Sequence, residues 1–213
     1  MLQLQYFHQK YDPQQDSSMH KSLVVKARVE DVEATESAIF DLTDSLGSFF
    51  EQEDVYFNVP HGHLKLRIMH PNRCGQLIFN SCSKLSGHKM SESQITEVED
   101  VFNIRATLAA ALGELGTIKK KRRIFTTDDI RIYLDDVDEI GQFIDVAVLM
   151  PSTADKDACC ERASEVRRKL LINDSSVVPV AYLDMMIRRC SFDEEESQAA
   201  NSDPDTGDSD ASV

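Results

Sequence analysis

The residues with the most chemical potential sit in short alternating segments. In HLKLRI, Lys65 and Arg67 alternate with Leu64, Leu66 and Ile68; in SLVVKARV, Ser22, Val24, Lys26 and Arg28 alternate with Leu23, Val25, Ala27 and Val29. IRIYLD sets Arg131, Tyr133 and Asp135 against Ile130, Ile132 and Leu134, and FIDVAV sets Asp145 and Ala147 against Ile144, Val146 and Val148. Successive side chains of a strand point to opposite faces, so each segment presents one apolar face and one face of fixed charges. A single strand of this kind lies on a core with its polar side in water. Several together admit a second arrangement: an antiparallel barrel, closed or nearly so, with helices on its apolar exterior and charges pointing inward. Lysines and arginines enclosed in that way need a bound polyanion or a set of inward carboxylates, because an unpaired charge is costly away from water. Alternation alone leaves both arrangements open.

The elements that would position these strands are helical. Glu30 to Leu46 places Val32, Thr35, Ile39, Leu42 and Leu46 at helical spacing, with Gly47 where a C-terminal cap belongs. Ser93 to Leu112 repeats the device with Val98, Val101, Leu108 and Leu112 on one face and Gly113 as the stop. A third helix is predicted from about Asp155 to Leu171, and a short fourth over Ala181 to Arg188. The 213 residues suit one domain with appendages: an unpatterned extension over 1–18, a folded body over 19–190 and an acidic tail over 191–213. Met19, directly before the first patterned segment, is an alternative start. The tail carries eight carboxylates and no Lys or Arg, a composition expected to stay disordered.

A formal charge of −14 argues against a nucleic-acid coat or an anionic-membrane binder. No apolar run nears the roughly 18 residues of a membrane span and no signal-peptide core is evident, so a cytoplasmic protein is expected. Five cysteines with no CxxC pair suit a reducing compartment. His61 and His63 in PHGH read as hairpin decoration, since no third metal ligand accompanies them.

The order of motifs across about Met19 to Arg189 resembles the CYTH family, the triphosphate tunnel proteins that include class IV adenylyl cyclases and thiamine triphosphatases. VKARVEDVEA opens the domain; QEDVYFNVP, HGHLKLRI, GQLIF and HKMSESQ follow; then come IKKKRRIFTTDDIRIYLDDVDEIGQFIDVAVLM and PVAYLDMM. The resemblance implies an α+β fold, an eight-stranded or near eight-stranded antiparallel tunnel braced by helices, whose basic interior grips a triphosphate beside acidic residues that hold Mg²⁺ or Mn²⁺. By motif match, Lys26, Lys65, Arg67, Lys120, Arg122 and Arg131 fall at phosphate-binding positions, and Lys89 falls in the connecting segment. Asp135 and Asp145 fall at acidic, metal-holding ones. Lys120 and Arg122 share parity, which turns Lys119, Lys121 and Arg123 outward. Arginine suits a bidentate phosphate grip, and hard divalent cations take carboxylate and phosphate oxygens.

The match departs from the family mainly on its acidic side. The register set by Lys26 puts Ser22 and Val24 where the ExExK signature has glutamates, and the later ExE pair reads Asp145 and Ala147. Cys82 replaces an Arg, and Ala181 a Lys or Ser. The bases are largely kept while the metal-binding acids are largely missing. The expectation is a tunnel that binds a small triphosphate or related polyanion with weakened metal-dependent hydrolysis. The alternatives are cyclisation of ATP to cAMP and a non-catalytic polyanion-binding module.

Overall fold

The computed structural model describes residues 19–71 and 74–190. The extension over 1–18 and the acidic tail over 191–213 lie outside them. The chain divides into two units, Met1–Pro179 and Val180–Val213. In the first unit, eight strands form a closed barrel: β1 (His20–Arg28), β2 (Ser48–Phe57), β3 (His63–His70), β4 (Gly75–Leu85), β5 (His88–Val98), β6 (Glu114–Thr126), β7 (Ile130–Val137) and β8 (Gly141–Leu149). Their order around the wall is β1-β5-β4-β3-β2-β6-β7-β8, and the neighbouring strands are antiparallel. The expected α+β barrel is the observed fold.

Helices cover the outside. α1 (Val32–Thr43) and α3 (Lys156–Lys169) pack on the β1, β6, β7 and β8 side, where Leu23, Ala27, Ile132, Ile144, Val146 and Val148 join Ile39 and Val166 in one apolar cluster. α2 (Val101–Leu112) covers a second cluster, in which Val101 meets Val55, Phe57, Leu66 and Ile68. The apolar parity of the strands therefore faces the helices, and the polar parity faces the lumen. Closure removes the free sheet edges, and the two exterior clusters supply the apolar burial that offsets chain entropy.

Two helix boundaries differ from the sequence reading. Ser93 to Val98 belongs to β5 rather than to a helix from Ser93 to Leu112; α2 begins only after Asp100, whose carboxylate accepts from the Phe102 and Asn103 N–H groups. That N-cap satisfies donors that have no intrahelical partner. α1 ends at Thr43, where Asp44 takes a left-handed conformation at φ 48°, so Leu46 lies beyond the helix and is exposed. Gly113 stops α2 as expected, at φ 76°.

After α3 the chain returns to the wall, and the Val178 N–H donates to the Lys26 carbonyl at 2.8 Å. The second unit, taken by itself, carries a helix over 182–190, and the Ala181 N–H donates to Asp184 Oδ2 at 3.2 Å near its start. Among the described residues no helix is long and apolar enough to cross a membrane.

Candidate functional site

The β registers bring the predicted cations onto the lumen side of the wall. Arg122 on β6 stands opposite Asp135 on β7; Lys26 on β1 stands opposite Asp145 on β8; Asp54 on β2 stands opposite Arg67 on β3. Paired residues of an antiparallel ladder share a face, so these groups line one interior.

Asp54 is the centre of the first cluster. Its Oδ1 accepts from Arg67 Nε at 2.8 Å, while its Oδ2 accepts from Arg67 Nη2 at 2.9 Å, Lys65 Nζ at 3.0 Å and Lys120 Nζ at 2.5 Å. The Asp54 and Lys120 side chains are 0% and 1% exposed. Burial alone would push the Asp54 carboxyl upward, but the charges of Arg67, Lys120 and Lys65 override it and hold the group well below the usual carboxylate range. Burial also lowers the two lysines, Lys65 to about 8 and Lys120 well below its ordinary value, with Asp54 opposing the shift in both.

The second cluster is a bidentate pair. Arg122 Nε and Nη2 donate to the two oxygens of Asp135 at 2.6 and 2.5 Å, and the guanidinium lies 4.3 Å from the Tyr133 ring centroid. Both partners are buried. On the remaining wall, burial lowers Lys26 while the charge of Asp145 opposes the shift. Lys89 belongs to β5 rather than to a connection, and its Nζ donates to the Pro179 carbonyl at 3.0 Å. Arg131 is half-buried on β7, opposite Ala147.

Three of the departures from the family pattern, Ser22, Val24 and Ala147, fall together on β1 and β8. Val24 pairs with Lys89 on one side and Ala147 on the other, and Ala147 pairs with Arg131, so two small apolar side chains lie between two cations on adjoining strands. Ser22, half-buried, stands next along β1 opposite Ser91 and Leu149. Cys82 keeps the lumen parity opposite Ser91 but is exposed. Ala181 lies in the second unit.

Asp54 is the functional candidate that the sequence reading missed. Within QEDVYF it stands between Glu53 and Val55 and looks like part of a solvated acidic run. The signal was parity: Val55 and Phe57 belong to the exterior cluster under α2, which turns Gln52, Asp54 and Tyr56 inward.

These residues do not fit a divalent cation well. Mg²⁺ and Mn²⁺ need carboxylate oxygens with lone pairs to spare. Asp54 and Asp135 spend both oxygens on Lys and Arg, and Val24 and Ala147 offer no ligand atom near Asp145. Among the described residues no three of His, Cys, Asp and Glu are grouped to hold a metal ion. Among the described residues one buried side-chain acceptor lacks a partner, Gln52 Oε1, but its register neighbour on β6 is Lys120 rather than an acid.

An antiparallel tunnel with helices outside and a basic interior defines a class, the CYTH tunnel fold. Residues 20–182 match the CYTH domain, and the chain belongs to that family. The family binds triphosphate substrates and is generally metal-dependent. A Methanocaldococcus jannaschii protein named "Putative adenylate cyclase" is 27% identical over 143 residues, which span 63% of this chain and 80% of that one. The PH1012 protein of Pyrococcus horikoshii OT3 superposes with a TM-score of 0.65 at 24% identity, covering 76% of this chain and 98% of that one. A Hippeastrum protein, described as a "Putative adenylyl cyclase" that reveals a dominant triphosphatase activity, superposes at 0.53 with 11% identity, covering 76% and 93%. The two structural likenesses establish the fold.

Proposed function

We propose that the tunnel binds a triphosphate-bearing small molecule or a closely related polyanion, and that metal-dependent turnover is weakened or lost. The observation that carries this reading is the interior itself. The cations Lys26, Lys65, Arg67, Lys120, Arg122 and Arg131 share it, with Lys89 beside Val24, and the carboxylates facing them are Asp54, Asp135 and Asp145, with Glu97 opposite Gln76. The excess of positive charge in a poorly solvated space favours a compact polyanion, whose oxygens take charge-assisted hydrogen bonds from several donors at once. Lys65 and Arg67 would clamp from β3, Lys120 and Arg122 from β6, and Lys26 and Arg131 from β1 and β7. Of Asp54, Asp135 and Asp145, only Asp145 has carboxylate capacity left for a metal, too little for an organised Mg²⁺ or Mn²⁺ site.

The test is calorimetric titration of tripolyphosphate in EDTA and again with Mg²⁺, alongside phosphate release from tripolyphosphate, thiamine triphosphate and ATP. Binding in EDTA with little or no turnover supports the reading. Binding that appears only with Mg²⁺, followed by rapid phosphate release, refutes the weakened-metal part; no binding in either condition refutes the whole. The name of the archaeal relative favours ATP cyclisation as a second reading, and cAMP formation measured in the same reactions separates it from hydrolysis.

A further inference from the structure

Asp54 is an expensive residue to place inside a tunnel that has to attract anions. It is fully buried, carries a negative charge and occupies the donors of Lys65, Arg67 and Lys120. Were it only a competitor for the ligand, a neutral residue would make a stronger anion site. The geometry points the other way. Three cations from two strands on either side of β2 converge on one carboxylate, and both of its oxygens are used. Without it their mutual repulsion would splay the side chains, and burial would strip the lysines of their protons.

We propose that Asp54 is the positioning residue of the polyanion grip, holding Lys65, Arg67 and Lys120 converged and charged in the empty tunnel so that a ligand meets a preformed set of donors. The inference deepens the proposed function and rests on it. Ligand oxygens then approach on the open side of donors already aimed, and little ordering remains to be done at the moment of binding. Lys65 is the group that reports this state. Around it stand Asp54 and Tyr56 from β2, Arg67 on its own strand, and Lys120 and Arg122 from β6; from β4 its register partner is the apolar Ile78. Among these, Asp54 is the group that raises Lys65, by charge and by hydrogen bond, while Arg67 and Arg122 lower it. The balance at about 8 leaves Lys65 largely protonated near neutrality. Removing Asp54 would send it further down and discharge it there.

The experiment has two arms on the full chain. In the first, wild type and Asp54→Asn are titrated with tripolyphosphate in EDTA from pH 6 to 9. In the second, the Cε resonance of Lys65 is followed by NMR over the same range without ligand, with Lys65→Arg to assign it. The proposal expects Lys65 to titrate in Asp54→Asn about one unit or more below wild type, with tripolyphosphate affinity at pH 7.5 reduced about tenfold or more. Unchanged titration of Lys65, or tighter binding by Asp54→Asn across the range, overturns it and makes Asp54 a competitor. If Asp54→Asn does not fold, Asp54→Glu carries the test. It keeps the charge but moves it by one methylene, so Lys65 should titrate near its wild-type midpoint while affinity falls by about tenfold. Affinity within about twofold of wild type overturns the proposal. Should wild type itself bind no tripolyphosphate, the proposed function fails, whereas the ligand-free titration still decides whether Asp54 keeps Lys65 charged.

Discussion

Replacing Asp135 by Asn should be among the most damaging changes of a single functional group in the barrel. The side chain keeps its volume, so no cavity is made, and the loss is electrostatic. Asp135 is 0% exposed and accepts two hydrogen bonds from Arg122, itself only 6% exposed. Breaking a buried pair by removing one partner leaves an uncompensated charge and costs about 3–5 kcal/mol. The 4.3 Å contact between the guanidinium and Tyr133 recovers only about 1 kcal/mol of that, and Arg122 stays charged at any accessible pH. Urea unfolding at pH 7 should therefore show Asp135→Asn destabilised by about 3 kcal/mol or more. Two further measurements separate the pair's role in stability from its role in binding. Arg122→Met with Asp135→Leu removes both charges and should unfold near the wild-type midpoint, because apolar replacements of a buried ion pair are often neutral or stabilising; its tripolyphosphate binding should drop sharply. Tripolyphosphate should also stabilise Asp135→Asn more than wild type, since phosphate oxygens replace the missing partner of Arg122. A cost below about 1 kcal/mol for Asp135→Asn, or equal costs for the single and double variants, would refute the description of Arg122 as a desolvated cation held by its partner.

The depressed Lys65 fixes a sign for the pH dependence of stability. Between about 8 and the unfolded value near 10.4 the unfolded chain binds a proton that the folded chain does not, so stability rises with pH across that window and the penalty is fully present below it. Lys65→Met should remove that rise, worth about 3 kcal/mol, in urea titrations at pH 7 and 10; an unchanged slope would contradict the enclosed ammonium. Introducing Val24→Glu with Ala147→Glu puts two carboxylates beside Asp145, between Lys89 and Arg131. Tripolyphosphate binding in EDTA should weaken and that in Mg²⁺ strengthen, and equal affinities in the two conditions would show that these positions do not govern metal use. Gly75→Ala should destabilise by about 3 kcal/mol and loosen the grip, because its Cβ would come within 1.9 Å of the Arg67 carbonyl oxygen. Gly87→Ala, in open space at φ 83°, should cost only the left-handed backbone, about 1–2 kcal/mol, and leave binding intact.

What could be read from the chain depended on how cleanly two parities separate. In HLKLRI and IRIYLD apolar residues alternate with polar ones over six positions, so face and content are legible together. In β5 they were not. SESQITEV has no long apolar stripe on either face, and Val98 falls in helical step with Val101 and Leu108, so periodicity starts the helix at Ser93, eight residues before Val101. The break is made by Asp100, whose cap is a local hydrogen-bonding event rather than a periodicity. Lys120 and Arg122 illustrate the opposite limit. Their inward parity followed from matched motifs, but in KKKRR nothing distinguishes the inner pair from Lys119, Lys121 and Arg123. That distinction is set by the partners they meet on β2 and β7: Lys120 donates to Asp54, diagonal to it in the register, and Arg122 stands opposite Asp135, both acids coming from elsewhere in the chain.

The inside-out arrangement of this barrel divides the labour of each strand between its odd and even positions. On β1, Leu23 and Ala27 are spent on the helices, while Val24 and Lys26 look into the lumen and touch neither apolar cluster. Exterior apolar residues and lumen charges thus interleave along one strand, although a buried lumen pair such as Arg122–Asp135 also contributes to stability. A wall such as Val24 and Ala147 can exchange ligand atoms for methyl groups without disturbing what holds the molecule together. On the proposed function, the same scaffold would pass between metal-assisted turnover and simple retention of an anion by substitutions at lumen positions.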